Sequence, residues 1–447
     1  MTPRIRTLNP ILWLLLIGFG SVALAQDFRG TIKGRIADDA GGELPGVAVT
    51  VRNVETNVTA NAVTDAKGFY RVPYLKGGKY DVTAKLDGFQ TAVRKGIDVR
   101  VGDVLTVDLR LTMGVASSIV VTGGAPLLDQ TSPVTGQVVT REQIKELPLA
   151  DGTAYMLSRV APGISEASDL HFSRPGDNAN LGGVIANGVR GGNDFTLDGA
   201  PNIVSDRRVG FSPPSDAIAE FKVETNSFDA QSGHTAGAVI NLALRSGTNA
   251  FHGSASYFNR SSDRAATSRF TKKAGQEDVA RDYDRFAAML AGPIKKDSTF
   301  FMVAYEKLED LTAEPASYSV PTEKMRRGDF SELLPLGIKI YDPLTGTSSR
   351  KAFEGNVIPT NRLNPIALAL LKYYPLPNAT GASDLSNNYF SPQDRTYDYN
   401  AVIGRLDQSL SGGHQLFLNA YWNQRLEDRY NWAGVVEDFA VTQGVDT

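Results

Sequence analysis

Cysteine is absent from this chain of 447 residues. Its absence excludes disulfide bonds, thiolate metal sites and a cysteine nucleophile, but it does not indicate the cytosol, because an exported protein can avoid thiols. A strong net charge is also missing, since 46 Lys and Arg residues nearly balance 49 Asp and Glu residues. The charge balance therefore gives no electrostatic reason to expect a nucleic-acid partner.

Long apolar runs are scarce and are confined to the N-terminus. Arg4 and Arg6 precede an apolar run over 11–19, and a small-residue cleavage pattern follows over 23–25. This pattern predicts a secretory signal peptide over residues 1–25. A membrane anchor is the alternative, but the run is too short to span a bilayer. Any later insertion into a membrane would have to use β-structure.

Motifs for catalysis and metal binding are missing as well. None of the four histidines belongs to a His-Glu-x-x-His pattern, and no Gly-x-Ser-x-Gly elbow or Gly-x-x-x-x-Gly-Lys phosphate loop occurs. Asp194, Asp198 and Asp206 do not have the spacing of an EF-hand loop. We therefore predict a protein that is not an enzyme and has neither a metal site nor a cofactor.

Residues 26–113 show the alternation of short, half-buried β-strands. Val47, Val49 and Val51 alternate with polar or small residues, and Tyr80 and Val82 repeat the pattern. Turn residues separate the segments, for example at 39–42, 65–68 and 87–88. About seven strands in this length predict a β-sandwich.

Local motifs in this segment resemble the carboxypeptidase regulatory-like domain. They are Gly34–Arg35–Ile36, Leu44–Pro45–Gly46–Val47, Gly68–Phe69–Tyr70 and Gly88–Phe89. The resemblance implies a transthyretin-like sandwich, grouped with carbohydrate-binding-like folds, and does not imply peptidase activity. Sugar or peptide binding and a spacer or docking role both remain open. The lack of an evident aromatic platform favours the spacer or docking role.

The run from Ala217 to Asn249 resembles the closing segment of the plug domain in TonB-dependent outer-membrane receptors. It contains an acidic-flanked strand over 220–223, a glycine-rich turn over 233–237 and a β-branched strand around 239–241. The resemblance implies an α+β plug domain over 125–248, followed by a β-barrel in a Gram-negative outer membrane. The fold class expected for the chain is therefore mainly β.

Other features of residues 125–248 fit this interpretation. Residues Thr140 to Gln143 form a capping box, which predicts a helix through Leu147. Asp151 is expected to cap a second helix, and Ser215 is expected to cap a short turn. The family's Arg-Gly and Asp-Gly motifs are expected on neighbouring strands, with their side chains locking the plug. The residues that match plug motifs are Arg190, Gly191, Asp198, Gly199, Glu220, Gly233, Gly237 and Asn241.

The polar loop over 168–180 is expected to form the apex of the plug that faces the ligand. This hypothesis rests on the polarity and position of the loop. The residues involved are His171, Arg174, Asp177 and Asn178.

The linker over 114–124 contains a segment that looks like the TonB box, the short extended segment captured by the energy-coupling protein. Its residues are Ser118, Ile119, Val120, Val121 and Thr122. Capture would proceed by strand addition, in which backbone hydrogen bonds supply affinity. The alternative is that the segment is simply the first strand of the following domain.

Residues 249–447 read as the N-terminal part of a β-barrel. Tight turns alternate with long loops, as in outer-membrane barrels, in which the tight turns face the periplasm. A soluble domain with a large insertion is the alternative, but a structureless loop over 309–396 is improbable in a compact domain. Five strands are predicted, over 251–258, 282–291, 299–308, 397–406 and 415–422.

Motifs in the long loop resemble the Oar-like branch of the TonB-dependent receptors. They include Val320–Pro321–Thr322, Arg327–Gly328–Asp329–Phe330–Ser331, Asn356–Val357–Ile358–Pro359 and Pro375–Leu376–Pro377–Asn378. The proline and glycine content predicts turns and extended segments without a helix. Five strands cannot close a barrel, so we expect the chain to be the N-terminal part of a larger receptor.

The resemblance implies energy-coupled uptake of a sugar, a peptide or a metal chelate. The partner would be the TonB–ExbB–ExbD complex, and the N-terminal domain would lie in the periplasm. The main alternative is a surface or adhesive protein that binds glycan or peptide and uses the barrel only as an anchor. A secreted peptidase with a regulatory domain is the third and weakest interpretation, because the chain lacks peptidase motifs.

Overall fold

The computed structural model describes residues 29–114, 119–122, 135–146, 153–166, 184–204, 209–226, 235–264, 266, 281–313, 316–346, 349–382, 384–391, 394–410, 413–430 and 440–446. The predicted signal peptide, Ser118, Gly233 and the four predicted apex residues lie outside these ranges. The described part is mainly β, as predicted. Among the described residues, no helix is long and apolar enough to cross a membrane.

The chain divides into two compact units. Unit 1 comprises Met1–His252, Leu290–Val303 and Gly404–Ala420. Unit 2 comprises Gly253–Met289, Ala304–Ile403 and Tyr421–Thr447.

The N-terminal part of unit 1 has two sheets around one hydrophobic core. One sheet has the order β4-β1-β7, with β8 also paired to β1, and the other has the order β3-β2-β5-β6-β9. The core contains the apolar members of the alternating strands, including Ile32, Val49, Val82 and Leu111. The strands are β1 Gly30–Asp38, β2 Ala48–Asn53, β3 Thr59–Val63, β4 Phe69–Leu75, β5 Gly78–Lys85, β6 Ala92–Val99, β7 Val104–Thr106, β8 Leu109–Leu111 and β9 Ile119–Thr122.

Strand β9 is the edge strand of the second sandwich sheet. It pairs in parallel with β6, with Ala92 opposite Ile119 and Lys95 opposite Thr122. The segment that resembles a TonB box is therefore extended, and it extends the sandwich sheet instead of beginning the next domain.

A five-stranded sheet with the order β10-β16-β17-β14-β15 follows in unit 1. A separate three-stranded sheet has the order β11-β12-β13. The strands are β10 Thr135–Thr140, β11 Ile164–Glu166, β12 Val184–Ala186, β13 Val189–Arg190, β14 Asp194–Leu197, β15 Ala200–Pro201, β16 Ile218–Asn226 and β17 Val239–Leu244.

Short helices accompany these sheets and differ in part from the predictions. Helix α1, Arg141–Glu146, has a reciprocal capping box, because the Thr140 N–H donates to Gln143 Oε1 and the Gln143 N–H donates to Thr140 Oγ1. The expected second helix is a 3₁₀ helix, Ala154–Val160, with Thr153 at its N-cap. The prediction that Ser215 caps the next turn was wrong, because Pro214 occupies the cap of the 3₁₀ helix Ser215–Ala217.

A six-stranded antiparallel sheet contains all the predicted barrel strands and one more. Its order is β18-β19-β20-β23-β24-β25. The sixth strand, β25, was not predicted, because its sequence, AVTQGVD, is short, polar and interrupted by glycine. The strands are β18 His252–Ser261, β19 Arg281–Lys295, β20 Thr299–Ala313, β23 Asp394–Ser409, β24 Gln415–Tyr430 and β25 Ala440–Asp446.

The two faces of this sheet differ in polarity from those of a soluble sheet, although the buried face carries apolar side chains such as Met289, Met302 and Ile403 beside its charges. Large apolar side chains on one face are exposed, such as Phe286, Val303 and Leu418. The other face buries charge, including the ion pair in which Arg285 Nε donates to Glu306 Oε2 at 3.0 Å. Arg281 and Arg395 on the same face pair with Asp310 and Glu427. An apolar exterior and a polar interior are typical of a transmembrane barrel.

The long loop between β20 and β23 contains helices, so the prediction of only turns and extended segments was wrong. Thr322 and Asn364 cap helices α2, Glu323–Arg326, and α3, Pro365–Leu370, through their side-chain oxygens. Pro365 is at the first helical turn, where the missing N–H has no intrahelical partner in any case. The loop also contains the two-stranded sheet of β21 Ala316–Tyr318 and β22 Tyr389–Ser391, and 3₁₀ helices Ser331–Leu336, Pro343–Thr345, Glu354–Asn356, Thr360–Arg362 and Leu371–Tyr373.

Candidate functional site

A buried charge cluster joins distant parts of unit 1. Asp198 begins it, in the turn that follows β14, where its φ of 49° and that of Gly199, 79°, are both left-handed. Asp and Gly tolerate this conformation better than other residues do. Asp198 Oδ1 accepts the Leu244 N–H at 3.0 Å, so the carboxylate is oriented by the adjacent strand β17.

The second carboxylate oxygen of Asp198 faces strands β23 and β24. Asp198 Oδ2 accepts hydrogen bonds from Arg405 Nη1 at 2.5 Å and from Asn419 Nδ2 at 2.8 Å. The side chains of Asp198 and Arg405 are 1% and 3% exposed, respectively. Removal from water strengthens such charge-assisted hydrogen bonds, provided that every polar atom has a partner.

Arg405 is held in place by its neighbour on the same face of β23. Residues two apart in a strand share a face, and Asp407 accepts from Arg405 Nε at 2.8 Å and from Arg405 Nη2 at 3.0 Å. The guanidinium carbon also lies 5.2 Å from the centroid of the Phe417 ring. The guanidinium therefore bridges two carboxylates.

Two further side chains complete the cluster around Asp407. Lys76, in the β4–β5 turn of the sandwich, donates to Asp407 Oδ1 at 2.5 Å. Ser246 donates to Asp407 Oδ2 at 2.6 Å. Two cations thus balance two carboxylates. Asn419 Oδ1 is buried without a hydrogen-bond partner among the described residues, but both carboxylates and the Arg405 guanidinium are hydrogen-bonded. A neutral cluster of this kind is suited to holding segments together and poorly suited to acid–base catalysis. We call Lys76, Asp198, Ser246, Arg405, Asp407 and Asn419 the charge cluster.

The other residues that match plug motifs have mainly structural surroundings. Asn241 Oδ1 accepts the Thr196 hydroxyl at 2.5 Å, between paired strands β17 and β14. A Cβ at Gly237 would lie 3.0 Å from the Gly191 carbonyl oxygen, so only glycine permits this approach.

Arg190 does not lie where the sequence predicted. It is exposed on β13, in the three-stranded sheet, whereas Asp198 follows β14 in the five-stranded sheet. The expectation that the two motifs occupy neighbouring strands was therefore wrong. Asp198 finds its cation on β23 instead.

Glu220 connects the sandwich with the five-stranded sheet. Its Oε1 accepts the Val101 N–H at 2.6 Å. Burial raises the pKa of the half-buried Glu220 carboxyl to about 7. The Val101 hydrogen bond and the Arg100 charge lower this pKa, and the Asp103 and Asp98 charges raise it, but each of these effects is smaller than that of burial. The protonated form of Glu220 is therefore favoured in the folded protein.

We expect acid to stabilise the folded protein at this position, because protonation of Glu220 removes the cost of burying its charge. A folded-state pKa above the unfolded value gives stability that is complete below about pH 4.5 and is lost as pH rises through about 7. Since one pKa unit corresponds to about 1.4 kcal/mol, the free energy of unfolding should fall by at most about 3 kcal/mol over this pH range. Unfolding free energies between pH 5 and 8 should show the decline, and Glu220→Gln should flatten it. Glu224→Gln, on the same strand, is the matched control. An unchanged pH profile in Glu220→Gln would contradict the assignment.

Sequence reasoning missed five members of the charge cluster: Lys76, Ser246, Arg405, Asp407 and Asn419. A signal was present, because Arg405 and Asp407 occupy alternate positions in a predicted barrel strand and so share one face. Their partners could not be inferred, since Arg405 is 207 positions from Asp198. Within the described part of the chain, no group of three or more His, Cys, Asp or Glu side chains is placed to hold a metal ion.

Two protein families match parts of the chain. Residues 243–446 match the outer membrane beta barrel domain, and residues 31–112 match the carboxypeptidase regulatory-like domain. A curated relative, the TonB-dependent transporter Oar of Myxococcus xanthus, is 28% identical over 297 residues. The similarity covers 64% of this chain and 27% of Oar, so the chain spans about a quarter of the length of this relative.

Solved outer-membrane proteins show a distant likeness. The ferric enterobactin receptor of Pseudomonas aeruginosa is 13% identical, with a TM-score of 0.36 over 66% of this chain and 33% of the receptor. The outer membrane transporter YddB of Escherichia coli is 11% identical, with a TM-score of 0.39 over 66% of this chain and 33% of the transporter. Structural similarities with TM-scores this low add nothing to the family matches.

The family matches agree with the polarity of the six-stranded sheet. An outer membrane barrel domain indicates the outer membrane of a Gram-negative bacterium. The similarity to a transporter also indicates a protein that is not an enzyme. The two matched domains and the similarity to Oar together support an Oar-like TonB-dependent receptor with a carboxypeptidase regulatory-like domain at its N-terminal side.

Proposed function

We propose that this protein takes up a ligand through the outer membrane, with energy delivered by the TonB–ExbB–ExbD complex. One observation carries the proposal. The charge cluster ties Asp198 of the five-stranded sheet to the buried, charge-bearing face of a sheet whose other face exposes large apolar side chains. A domain anchored by buried charges to the polar face of a barrel wall is what a plugged barrel requires.

In this proposal, residues 125–248 form the plug and residues 249–447 contribute the first barrel strands. The tight β19–β20 turn, Lys296–Ser298, faces the periplasm, and the loop over 314–393 faces outward. The sandwich over 26–113 then lies in the periplasm, with residues 1–25 as its signal peptide. The ligand is a sugar, a peptide or a metal chelate, bound at the outer face with the loop over 168–180 at the apex of the plug.

Residues 118–122 are the proposed contact for TonB. Ile119–Thr122 is extended at the edge of a sheet, with β6 on one side. Strand addition needs such a backbone, because an incoming strand hydrogen-bonds to an open edge. TonB would pull this strand, displace the plug and break the tie between Asp198 and Arg405.

We expect Val121→Pro in the whole receptor to abolish uptake and leave ligand binding at the cell surface intact. Proline removes a backbone donor and fixes φ, so it opposes strand addition. Val121→Thr is the matched control, because threonine is also β-branched and favours strands. Uptake and binding can be compared in cells with radiolabelled ferric chelates, oligosaccharides and peptides.

Uptake that survives both Val121→Pro and collapse of the proton gradient would refute energy coupling through this segment. Binding without any energy-dependent uptake would favour the adhesive alternative.

A further inference from the structure

Among the described residues, three turns of the sandwich make hydrogen bonds to the rest of unit 1. The first is the β4–β5 turn, where Lys76 donates to Asp407 of β23 at 2.5 Å. The next residue, Gly77, is so close to Glu220 that a Cβ would lie 3.0 Å from Glu220 Oε1. Lys76 is 27% exposed and Asp407 is 2% exposed, so the lysine reaches into the protein from its surface.

The second contact is the turn that follows β6. Its Val101 N–H donates to Glu220 Oε1, and its Gly102 carbonyl oxygen accepts from Lys222 Nζ at 3.3 Å. Glu220 and Lys222 are alternate residues of β16 and therefore share a face. Lys222 is also paired with Glu224 at 3.1 Å on that face. One face of β16 thus recognises one turn of the sandwich.

The third contact is the β2–β3 turn. The Asn249 N–H donates to the Glu55 carbonyl oxygen at 3.1 Å. Asn57 Nδ2 donates to Asp297 Oδ1 at 3.0 Å, in the tight β19–β20 turn. Asn249 Nδ2 donates to the same oxygen at 2.6 Å. Together, the three contacts engage β16, β23 and the β19–β20 turn, so the sandwich is docked and is not a free spacer.

Strand β9, which TonB is proposed to bind, belongs to a sheet of the docked sandwich. Strand β9 pairs with β6, and β6 leads directly into the Val101–Gly102 turn that contacts β16. A pull on β9 therefore acts on the sandwich as well as on the linker to the plug. Lys76 in turn shares Asp407 with Arg405, which holds Asp198.

We propose that the sandwich is a latch for the plug, and that it must undock before the plug is displaced. This inference rests on the proposed function. Undocking withdraws Lys76 from Asp407 and leaves Arg405 as the single cation facing two buried carboxylates. An uncompensated buried charge is strongly unfavourable, so release of the sandwich destabilises the site in which Arg405 holds Asp198.

A reversible crosslink tests the latch, because the chain has no cysteine of its own. The backbone hydrogen bond between Glu55 and Asn249 brings their backbones within the range of a disulfide. The double variant Glu55→Cys with Asn249→Cys should crosslink on oxidation in the whole receptor. The two single variants are the matched controls. Failure of the double variant to crosslink would overturn the docked arrangement.

Force measurements on the same receptor in lipid bilayers need no ligand. The receptor is pulled through the purified C-terminal domain of TonB bound to it. The reduced double variant should show a short release event followed by extension of the plug, and oxidation should abolish both. Lys76→Met should lower the force of the release event without a crosslink. Equal plug extension in the oxidised and reduced forms would overturn the latch.

The outcomes distinguish the latch from the function on which it rests. If TonB does not bind residues 118–122, the proposed function fails, although the crosslink still reports docking. If TonB binds and extends the plug regardless of oxidation, the energy coupling stands and the latch is wrong.

Discussion

Arg405→Met is expected to destabilise the docking of the proposed plug by about 3–5 kcal/mol, the usual result of removing one partner from a buried ion pair. Methionine keeps the approximate length of the side chain and removes its charge. Asp198 and Asp407, which are 1% and 2% exposed, would then share only Lys76 as a counter-charge. Neither carboxylate can be solvated without opening the site.

The loss can be measured as a shift in the denaturant midpoint of the whole receptor, followed by protease accessibility of residues 135–244. Lys307→Met is the matched control on the neighbouring strand β20. Lys307 pairs with Glu309 at 2.5 Å, but the two side chains are 37% and 52% exposed. Exposed pairs contribute at most about 1 kcal/mol. Equal midpoints for the two variants would show that the charge cluster does not hold the plug.

Gly247→Ala should be the second strongly destabilising change, at about 1–3 kcal/mol or more, because it overfills a closed space. A Cβ at Gly247 would press on the carbonyl oxygen of Gly292 and lie 2.6 Å from that of Phe301. Both obstacles are backbone atoms of hydrogen-bonded strands β19 and β20, so neither can move aside cheaply. Gly247 is also adjacent to Ser246 of the charge cluster, and a shift there would disturb Asp407.

Gly404→Ala provides the matched control, because a Cβ there would meet nothing within 4 Å. Thermal melting of the two variants in the same detergent should give a large loss for Gly247→Ala and little change for Gly404→Ala. If Gly247→Ala melts like the unaltered protein, the close approach of this segment to β19 and β20 is wrong.

In the proposed function, the charge cluster and the latch hold the plug in place through few groups. Arg405 stands between Asp198 and Asp407, and Lys76 adds the sandwich to the same carboxylate. A small number of strong, buried contacts favours an abrupt release, because the loss of one partner leaves the others with an unpaired charge. Such contacts suit an energy-driven transporter, because they resist thermal displacement of the plug but break when a force pulls on it.

Local patterns in the sequence predicted most strands and some caps. The alternation of Val47, Val49 and Val51 predicted a half-buried strand, and all three are buried in β2 or beside it. Thr140 and Gln143 predicted the cap of α1, since a capping box depends only on residues three apart. The helices α2 and α3 were missed because proline and glycine dominate the loop, although Thr322 and Asn364 were available as caps.

By itself, the sequence determined the mainly β class and the strand faces, because these depend on period-two patterns and nearby turn residues. The extended conformation of Ile119–Thr122 was expected from its resemblance to a TonB box. Only the tertiary structure decided that Asp198 pairs with Arg405 rather than lying beside Arg190, that Lys76 joins the same cluster, and that Ile119–Thr122 extends the sandwich sheet. The physical reason is distance along the chain. A charged side chain selects a specific partner only where the surrounding structure removes both from water. That environment is created by packing segments up to 331 residues apart in the chain.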